Sequence, residues 1–176
     1  MKPLFYIFLL IMLFGNTACN SERDKIAPAF DNYKFDERVI EKLPLYDSLT
    51  AGILKEINLF LDIIDTTESY QAFRYMPEAN EIEAFKKLPN TIKTDIDNHF
   101  AKIGKDFIYG FDVFKDSSIK IYISVKTIDS TAITIEENLS FFPKGNSNKE
   151  REYPIKDTIL NTHWQYWTRF SKEGIF

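Results

Sequence analysis

The sequence predicts an α+β fold, in which two to three N-terminal helices pack on one face of a curved antiparallel sheet of about four strands. Between residues 48 and 103, apolar side chains recur every three or four positions, which is the period of a helix. From residue 105 onward they recur at every second position, which is typical of strands with one buried face. Helices that precede a run of strands are the order expected of an α+β domain.

The first predicted helix runs from residue 48 to residue 65, with Asp47 or Ser48 as its N-cap. Its apolar stripe is expected to face the core and comprises Leu49, Ile53, Ile57, Phe60 and Ile64. Residues 66–77 are ambiguous, although residues 70–76 are compatible with a short strand.

Two further helices are predicted before the strands begin. Pro77 is expected to open one of them, because proline suits the first turn of a helix, and Pro89 ends it. Asn90 is expected to cap the other, which ends at Gly104 because glycine suits the position after a helix.

Strands are predicted within residues 107–141, with odd-numbered apolar side chains pointing inward. Two residues that lie opposite each other on neighbouring strands point to the same face of the sheet. If every odd-numbered residue points inward, each odd residue must lie opposite another odd residue, so the two residue numbers have an even sum. The turn at Asp129-Ser130 is therefore predicted to have three residues or a bulge, which places Val125 near Ile135 or Ile133.

The core is expected where the helices meet the inward side chains of the strands. Its predicted members are Ile57, Phe60, Ile96, Phe111, Ile121 and Ile135. A similar order of elements occurs in NTF2-like and cystatin-like folds, in which a curved sheet wraps a long helix.

A last strand is predicted from about residue 161 to residue 170, with Trp164, Tyr166 and Phe170 on one side. Trp167 then lies on the other side, where its neighbours are His163, Gln165 and Arg169. An exposed tryptophan among hydrogen-bonding side chains is a candidate surface for stacking a sugar ring or anchoring a partner. The alternatives are that this face is buried, or that Trp167 packs under the polar loop of residues 143–152.

Residues 1–18 have the plan of a secretory signal peptide. Lys2 supplies the positive charge, and Leu4 to Phe14 form the apolar run. Gly15 and Asn16 interrupt this run well short of the roughly 20 apolar residues that span a bilayer. We therefore expect residues 1–18 to be cleaved rather than to remain as a membrane helix.

Ala18-Cys19 resembles the lipobox of bacterial lipoproteins, in particular those of Bacteroidetes-like bacteria. The resemblance covers residues 1–19 and implies that Cys19 becomes the acylated first residue of the mature chain. It also implies, from Asn20 in the second position, a lipid-anchored location at the outer membrane, facing the periplasm or the surface. The alternative is an ordinary signal peptide with a chance cysteine.

Residues 19–36 are polar and without periodicity, which predicts a lipidated cysteine followed by a flexible tether. Residues 37–176 are then expected to form a single α+β domain, because a chain of this length supports one core. Cys19 is the only cysteine, so packing rather than a disulfide has to stabilise this domain.

The charge balance limits the classes of partner. The chain has 22 basic and 26 acidic residues, a formal net charge of −4, and no basic cluster. This balance argues against nucleic acid as a partner. The expected partners are a membrane, reached through the lipid on Cys19, and an envelope protein or a glycan.

The sequence contains none of the motifs G-x-S-x-G, P-loop, Rossmann glycine pattern, H-E-x-x-H or EF-hand loop. With two histidines and one cysteine we expect no metal site and no cofactor. His99 lies four residues after Asp95 on the third predicted helix, and its place in the isoleucine stripe favours a core histidine with a hydrogen-bond partner.

Glu137 occupies an inward position on a predicted strand. A bulge at Glu136-Glu137 would turn it outward, whereas an inward carboxylate suits a general base or a ligand anchor in a cavity. His99 and Glu137 are therefore the only catalytic candidates. The favoured function is a non-enzymatic binding module, and the alternative is a small hydrolase or isomerase whose cavity is lined by both residues.

Overall fold

The computed structural model describes residues 24–65, 72–77, 86–128, 132–145 and 155–172. Within these ranges, five helices and a six-stranded antiparallel sheet form an α+β fold. The predicted fold class is confirmed, but the helices and strands are more numerous than predicted.

The helices all precede the long strands. The predicted helix over residues 48–65 consists of two helices that meet at Glu56, and the expected N-cap at Asp47 or Ser48 is wrong. The helix begins earlier because Pro44 lies in its first turn, where proline is favourable. The bounds are α1 (24–32), α2 (Glu37–Glu41), α3 (Leu43–Lys55), α4 (Ile57–Asp65) and α5 (Asn90–Ile103).

Helix α5 agrees with the predicted third helix in its extent, but the expected cap at Asn90 is wrong, because Pro89 is the N-cap and Asn90 is the first helical residue. Gly104 follows it with a φ of 95°, a left-handed conformation that glycine adopts without strain. The helix expected after Pro77 falls largely on residues 78–85, which lie outside the described residues.

The sheet has the strand order β1-β2-β3-β4-β6-β5, and every neighbouring pair is antiparallel. Strand β1 falls on the stretch that was ambiguous in the sequence, whereas β5 was not predicted. The bounds are β1 (Ala72–Tyr75), β2 (Gly110–Phe114), β3 (Ile119–Ile128), β4 (Ile133–Phe141), β5 (Ile155–Ile159) and β6 (Trp164–Lys172).

The main core lies between the helices and one face of the sheet, here termed the inner face. Four of the six predicted core residues are buried there, namely Phe60, Ile96, Phe111 and Ile121. Ile57 is half-buried against the same core, and Ile135 is half-buried against a second, smaller cluster. The opposite face of the sheet is termed the outer face.

A bulge in β3 sets the register of the central strands. Ile121 lies opposite Leu139, but Ser124 lies opposite Glu137, because β3 has one additional residue between Tyr122 and Ser124. Val125 therefore turns to the outer face, where it is 53% exposed and opposite Glu136. The predicted place of Val125 near Ile135 or Ile133 is wrong, because the bulge lies within β3 rather than at the turn.

Residues 24–36, here termed the N-terminal segment, belong to the folded domain. Ile26 packs with Ile133 and Phe170 in the second cluster, and the Phe30 and Phe170 ring centroids are 5.3 Å apart. The prediction of a flexible tether over residues 19–36 is therefore wrong for this part. The reason is that Ile26, Phe30 and Tyr33 recur at helical spacing among charged residues and bury one side of α1.

Residues 1–23, which hold the predicted signal peptide and Cys19, lie outside the described residues. Among the helices that the structure does describe, none has the length and apolar character needed to cross a bilayer.

Candidate functional site

Glu137 points to the inner face and is 4% exposed. The bulge that would turn it outward is absent from the described strand β4, whose pairing with β6 is regular on both sides of Glu137. Glu137 Oε1 accepts hydrogen bonds from the hydroxyls of Tyr33 at 2.5 Å and Tyr166 at 3.4 Å. Glu137 Oε2 accepts from the Ser124 hydroxyl and from Lys126 Nζ at 3.3 Å.

These five residues form the Glu137 cluster. Burial, followed by the hydrogen bond to Glu137, raises the pKa of Tyr33 well above its ordinary value. Burial and the neighbouring Glu137 charge likewise raise the pKa of Tyr166. Both phenols therefore remain protonated donors, and each oxygen of the Glu137 carboxylate already has two partners.

His99 lies on α5, with its side chain 14% exposed. Its Nδ1 is 2.8 Å from the backbone oxygen of Asp95, and its Nε2 is 3.1 Å from Ser48 Oγ on α3. A carbonyl oxygen only accepts, so Nδ1 must carry a hydrogen. In the neutral imidazole, Nε2 is then an acceptor for the Ser48 hydroxyl.

A cleft of about 210 Å³ lies beside this pair, between α3, α4 and α5. Its apolar lining includes Leu49, Ile53, Phe60 and Ile96, and its polar lining includes Lys55, Glu56, Asp95 and His99. Glu137 does not line this cleft, and its hydrogen-bond partners Tyr33, Ser124, Lys126 and Tyr166 differ from those of His99, which are Ser48 and Asp95. The structure therefore does not bring the two candidate catalytic residues together.

Within the described ranges, no group of three or more His, Cys, Asp or Glu side chains is arranged to hold a metal ion. Asp95 Oδ1 is 3.9 Å from His99 Nδ1, and this nitrogen carries the hydrogen that Asp95 O accepts. The expected hydrogen-bond partner of His99 is therefore the backbone of Asp95, which orients the imidazole.

Trp167 lies on the outer face, opposite to Trp164, Tyr166 and Phe170, but it is only 6% exposed. Its Nε1 donates to Ser140 Oγ at 2.8 Å, and Lys120 Nζ lies 4.7 Å from the ring centroid. The prediction of an exposed tryptophan platform is therefore wrong, because the ammonium group occupies one face of the indole.

Of the three polar residues expected around Trp167, Gln165 and Arg169 lie two positions to either side of it on β6, and His163 lies outside the strand. His163 precedes β6, stacks on Phe141 with centroids 5.7 Å apart, and bonds through Nδ1 to the Phe142 oxygen at 2.8 Å. Gln165 is buried and donates to Asp157, whereas Arg169 is exposed.

Lys120 is the centre of a network of charged and aromatic side chains on the outer face. Its Nζ lies 3.1 Å from Glu136 Oε1 and 4.2 Å from the centroid of the Tyr122 ring. Burial lowers the pKa of Lys120. The Tyr122 hydroxyl donates to Asp112 at 2.6 Å, so this network continues from β4 across β3 to β2. Sequence reasoning missed it, although polar side chains at even positions of β2 and β3 were a visible signal.

A groove of about 790 Å³ opens on the outer face above this network. It is termed the outer groove, and its lining comprises Phe114, Lys115, Asp116, Ser118, Ile119, Lys120, Ser140, Phe142 and Trp167. Comparisons with protein-family models, with curated proteins and with solved structures found no match. The function has to be inferred from the geometry of the chain's own side chains.

Proposed function

We propose that the chain is a membrane-anchored envelope lipoprotein whose domain is a binding module, and that the outer groove takes its ligand. The observation that carries this proposal is the groove itself. Its volume of about 790 Å³ lies within the range of roughly 300 to 1,000 Å³ that is usual for ligand clefts.

The lining of the outer groove favours a saccharide ligand. Phe114, Phe142 and Trp167 supply apolar contact, and Ser118 and Ser140 supply polar contact. A sugar ring presents an apolar face together with a belt of hydroxyls, so it matches a surface that mixes aromatic and polar groups.

The floor of the groove is already ordered without a ligand. Lys120 is held by Glu136 and by two aromatic rings, and Ser140 is held by the Trp167 indole. Side chains that are fixed before binding lose little conformational freedom when a ligand arrives, which favours affinity.

The anchor rests on Ala18-Cys19, and its test is independent of the groove. Replacing Cys19 with Ser should prevent incorporation of labelled fatty acid and release the protein from membranes. Unlabelled wild-type protein in the soluble fraction would contradict the anchor, and the domain would remain a candidate binding module.

The groove is tested by titrating envelope oligosaccharides, such as N-acetylglucosamine oligomers, and measuring tryptophan fluorescence. The chain has two tryptophans, and Trp164 is buried in the main core, so Trp164→Phe leaves Trp167 as the only reporter. We expect Phe142→Ala to weaken binding at least about tenfold, because it removes an aromatic wall. Val125→Ala is the matched control, since Val125 is exposed on the outer face but does not line the groove.

Equal binding by Phe142→Ala and Val125→Ala would contradict the groove as the ligand site. An absence of saccharide binding, together with capture of an envelope protein that Phe142→Ala abolishes, would keep the site and replace the saccharide. Trp167 is unsuitable for this test, because its burial means that Trp167→Ala should also destabilise the domain.

A further inference from the structure

We propose that Ser48 and His99 form a nucleophile and general-base pair that accepts the acyl group of an activated ester, such as an aryl ester. This activity would be separate from ligand binding in the outer groove. It rests on the hydrogen bond between α3 and α5 and on the cleft of about 210 Å³ beside it.

The tautomer of His99 has the orientation that a general base requires. The hydrogen on Nδ1 is held by the Asp95 backbone oxygen at 2.8 Å, which leaves the Nε2 lone pair facing Ser48 Oγ at 3.1 Å. A serine hydroxyl is a weak nucleophile until a neighbouring base accepts its proton, and this distance lies within hydrogen-bond reach.

Asp95 has a second role in this arrangement. Its Oδ1 lies 3.9 Å from His99 Nδ1, and its side chain is 63% exposed. When Nε2 takes the serine proton, the imidazolium carries a positive charge, which the nearby carboxylate stabilises. The hydrogen on Nδ1 is held by the Asp95 backbone oxygen rather than by the carboxylate, so Asp95 orients the imidazole through its main chain.

The neighbouring cleft provides a place for an apolar acyl group. Gly52 lies one helical turn after Ser48 on α3, and it lines the cleft. An added Cβ at Gly52 would be in ordinary van der Waals contact with Asp95 Oδ2, at 3.5 Å, so glycine leaves this gap between α3 and α5 unfilled. The side chains of Leu49, Ile53 and Phe60 supply the apolar lining behind it.

The reaction balances with the ester and water alone. Ser48 Oγ attacks the ester carbonyl as its proton passes to His99 Nε2, and the bond between carbonyl carbon and leaving oxygen then breaks. The leaving group departs as the alcohol with that proton, and water, activated by the same Nε2, releases the acid from Ser48.

The position of Ser48 limits the substrate class. Ser48 lies inside α3, so its backbone N–H belongs to the helix and does not serve as an oxyanion donor. The site therefore suits esters of acidic alcohols, whose leaving groups need the least assistance.

The experiment is stopped-flow hydrolysis of p-nitrophenyl butyrate by the full chain, with peptide mass spectrometry of the trapped protein. We expect a burst of about one equivalent of nitrophenolate and a butyryl group on Ser48. Ser48→Ala should abolish the burst, and His99→Gln should slow it about a hundredfold. Thr94→Ala is the matched control, because Thr94 is exposed on α5, its hydroxyl donates to the Asn90 backbone oxygen, and it does not line the cleft.

Thermal unfolding of each variant shows whether a lost burst reflects a lost fold. A burst in Ser48→Ala equal to that of the wild type, or a butyryl group on Lys55 instead of Ser48, would overturn the proposal. The same holds if a folded wild-type chain gives no burst. Labelling by a fluorophosphonate provides a second measurement. We expect the label on Ser48 in the wild type and its loss in His99→Gln, and a wild-type chain without label on Ser48 would overturn the proposal.

Discussion

The Glu137 cluster and the Ser48–His99 pair both place an ionisable side chain among hydrogen-bonding partners, but they leave different atoms available. Each oxygen of Glu137 accepts two hydrogen bonds beneath the N-terminal segment, and the carboxylate is almost fully buried. Ser48, in contrast, is exposed, and His99 borders an open cleft. A buried carboxylate whose oxygens all have hydrogen-bond partners indicates a structural role. An accessible hydroxyl beside a histidine nitrogen that can accept its proton indicates a reactive site.

The largest effect expected from this comparison is that of Glu137→Ala. It leaves the hydroxyls of Tyr33 and Tyr166 without their acceptor and Lys126 without its counter-charge. We expect the free energy of unfolding to fall by about 3 to 5 kcal/mol, as measured by urea denaturation. Asp65→Ala is the control, because its ion pair with Lys115 is exposed at both ends and should contribute about 1 kcal/mol or less. Similar losses in both variants would contradict a structural role specific to Glu137.

A smaller effect is expected for Tyr33→Phe. The change keeps the ring contacts with Phe35 and Phe170, at 5.4 and 5.5 Å between centroids, and removes only the hydroxyl. The free energy of unfolding should fall by about 1 to 2 kcal/mol, because a hydrogen bond to a charged group is lost. Hydrogen exchange should accelerate in residues 24–36 and remain unchanged in α5. Uniform acceleration would mean that the N-terminal segment is not a separate unit of stability.

These residues also show what the sequence could not reveal. The alternation of Phe111, Ile121 and Leu139 is local, so strands and their inward face could be predicted from it. The bond between Tyr33 and Glu137 joins residues 104 positions apart, and no local pattern indicates such a contact. The bulge in β3 depends on one additional residue, and the alternation of apolar and polar side chains along the sequence does not show where such a residue is inserted.

The edge strand β5 was not predicted from the sequence, for a related reason. Strand β5 has only five residues, with Lys156, Asp157 and Thr158 between its two isoleucines. An edge strand is partly solvated, so it needs no run of apolar side chains. The Ser48–His99 pair was equally invisible, because its partners lie on two helices 51 positions apart in sequence.

The smallest effect is expected for Ser48→Ala. Ser48 is exposed, and alanine is the better helix former, so the free energy of unfolding should change by no more than about 0.5 kcal/mol. Thermal or urea unfolding measures this directly. A loss above about 1 kcal/mol would mean that the hydrogen bond to His99 holds α3 against α5, and the contrast with the Glu137 cluster would disappear.

The docked N-terminal segment has a geometric consequence for a lipid-anchored chain. Lys156 Nζ donates to the Phe30 and Tyr33 backbone oxygens at 3.0 and 2.9 Å, so the segment is attached to the sheet edge as well as to Glu137. If Cys19 carries the proposed lipid, the chain from Cys19 to residue 24 has five residue-to-residue steps, and its fully extended length is at most about 18 Å. The domain would then rest close to the bilayer in a restricted orientation. The segment packs against Ile133 at the start of β4, whereas the outer groove lies beside Ser140 near the other end of that strand, so the groove would stay open to the aqueous side.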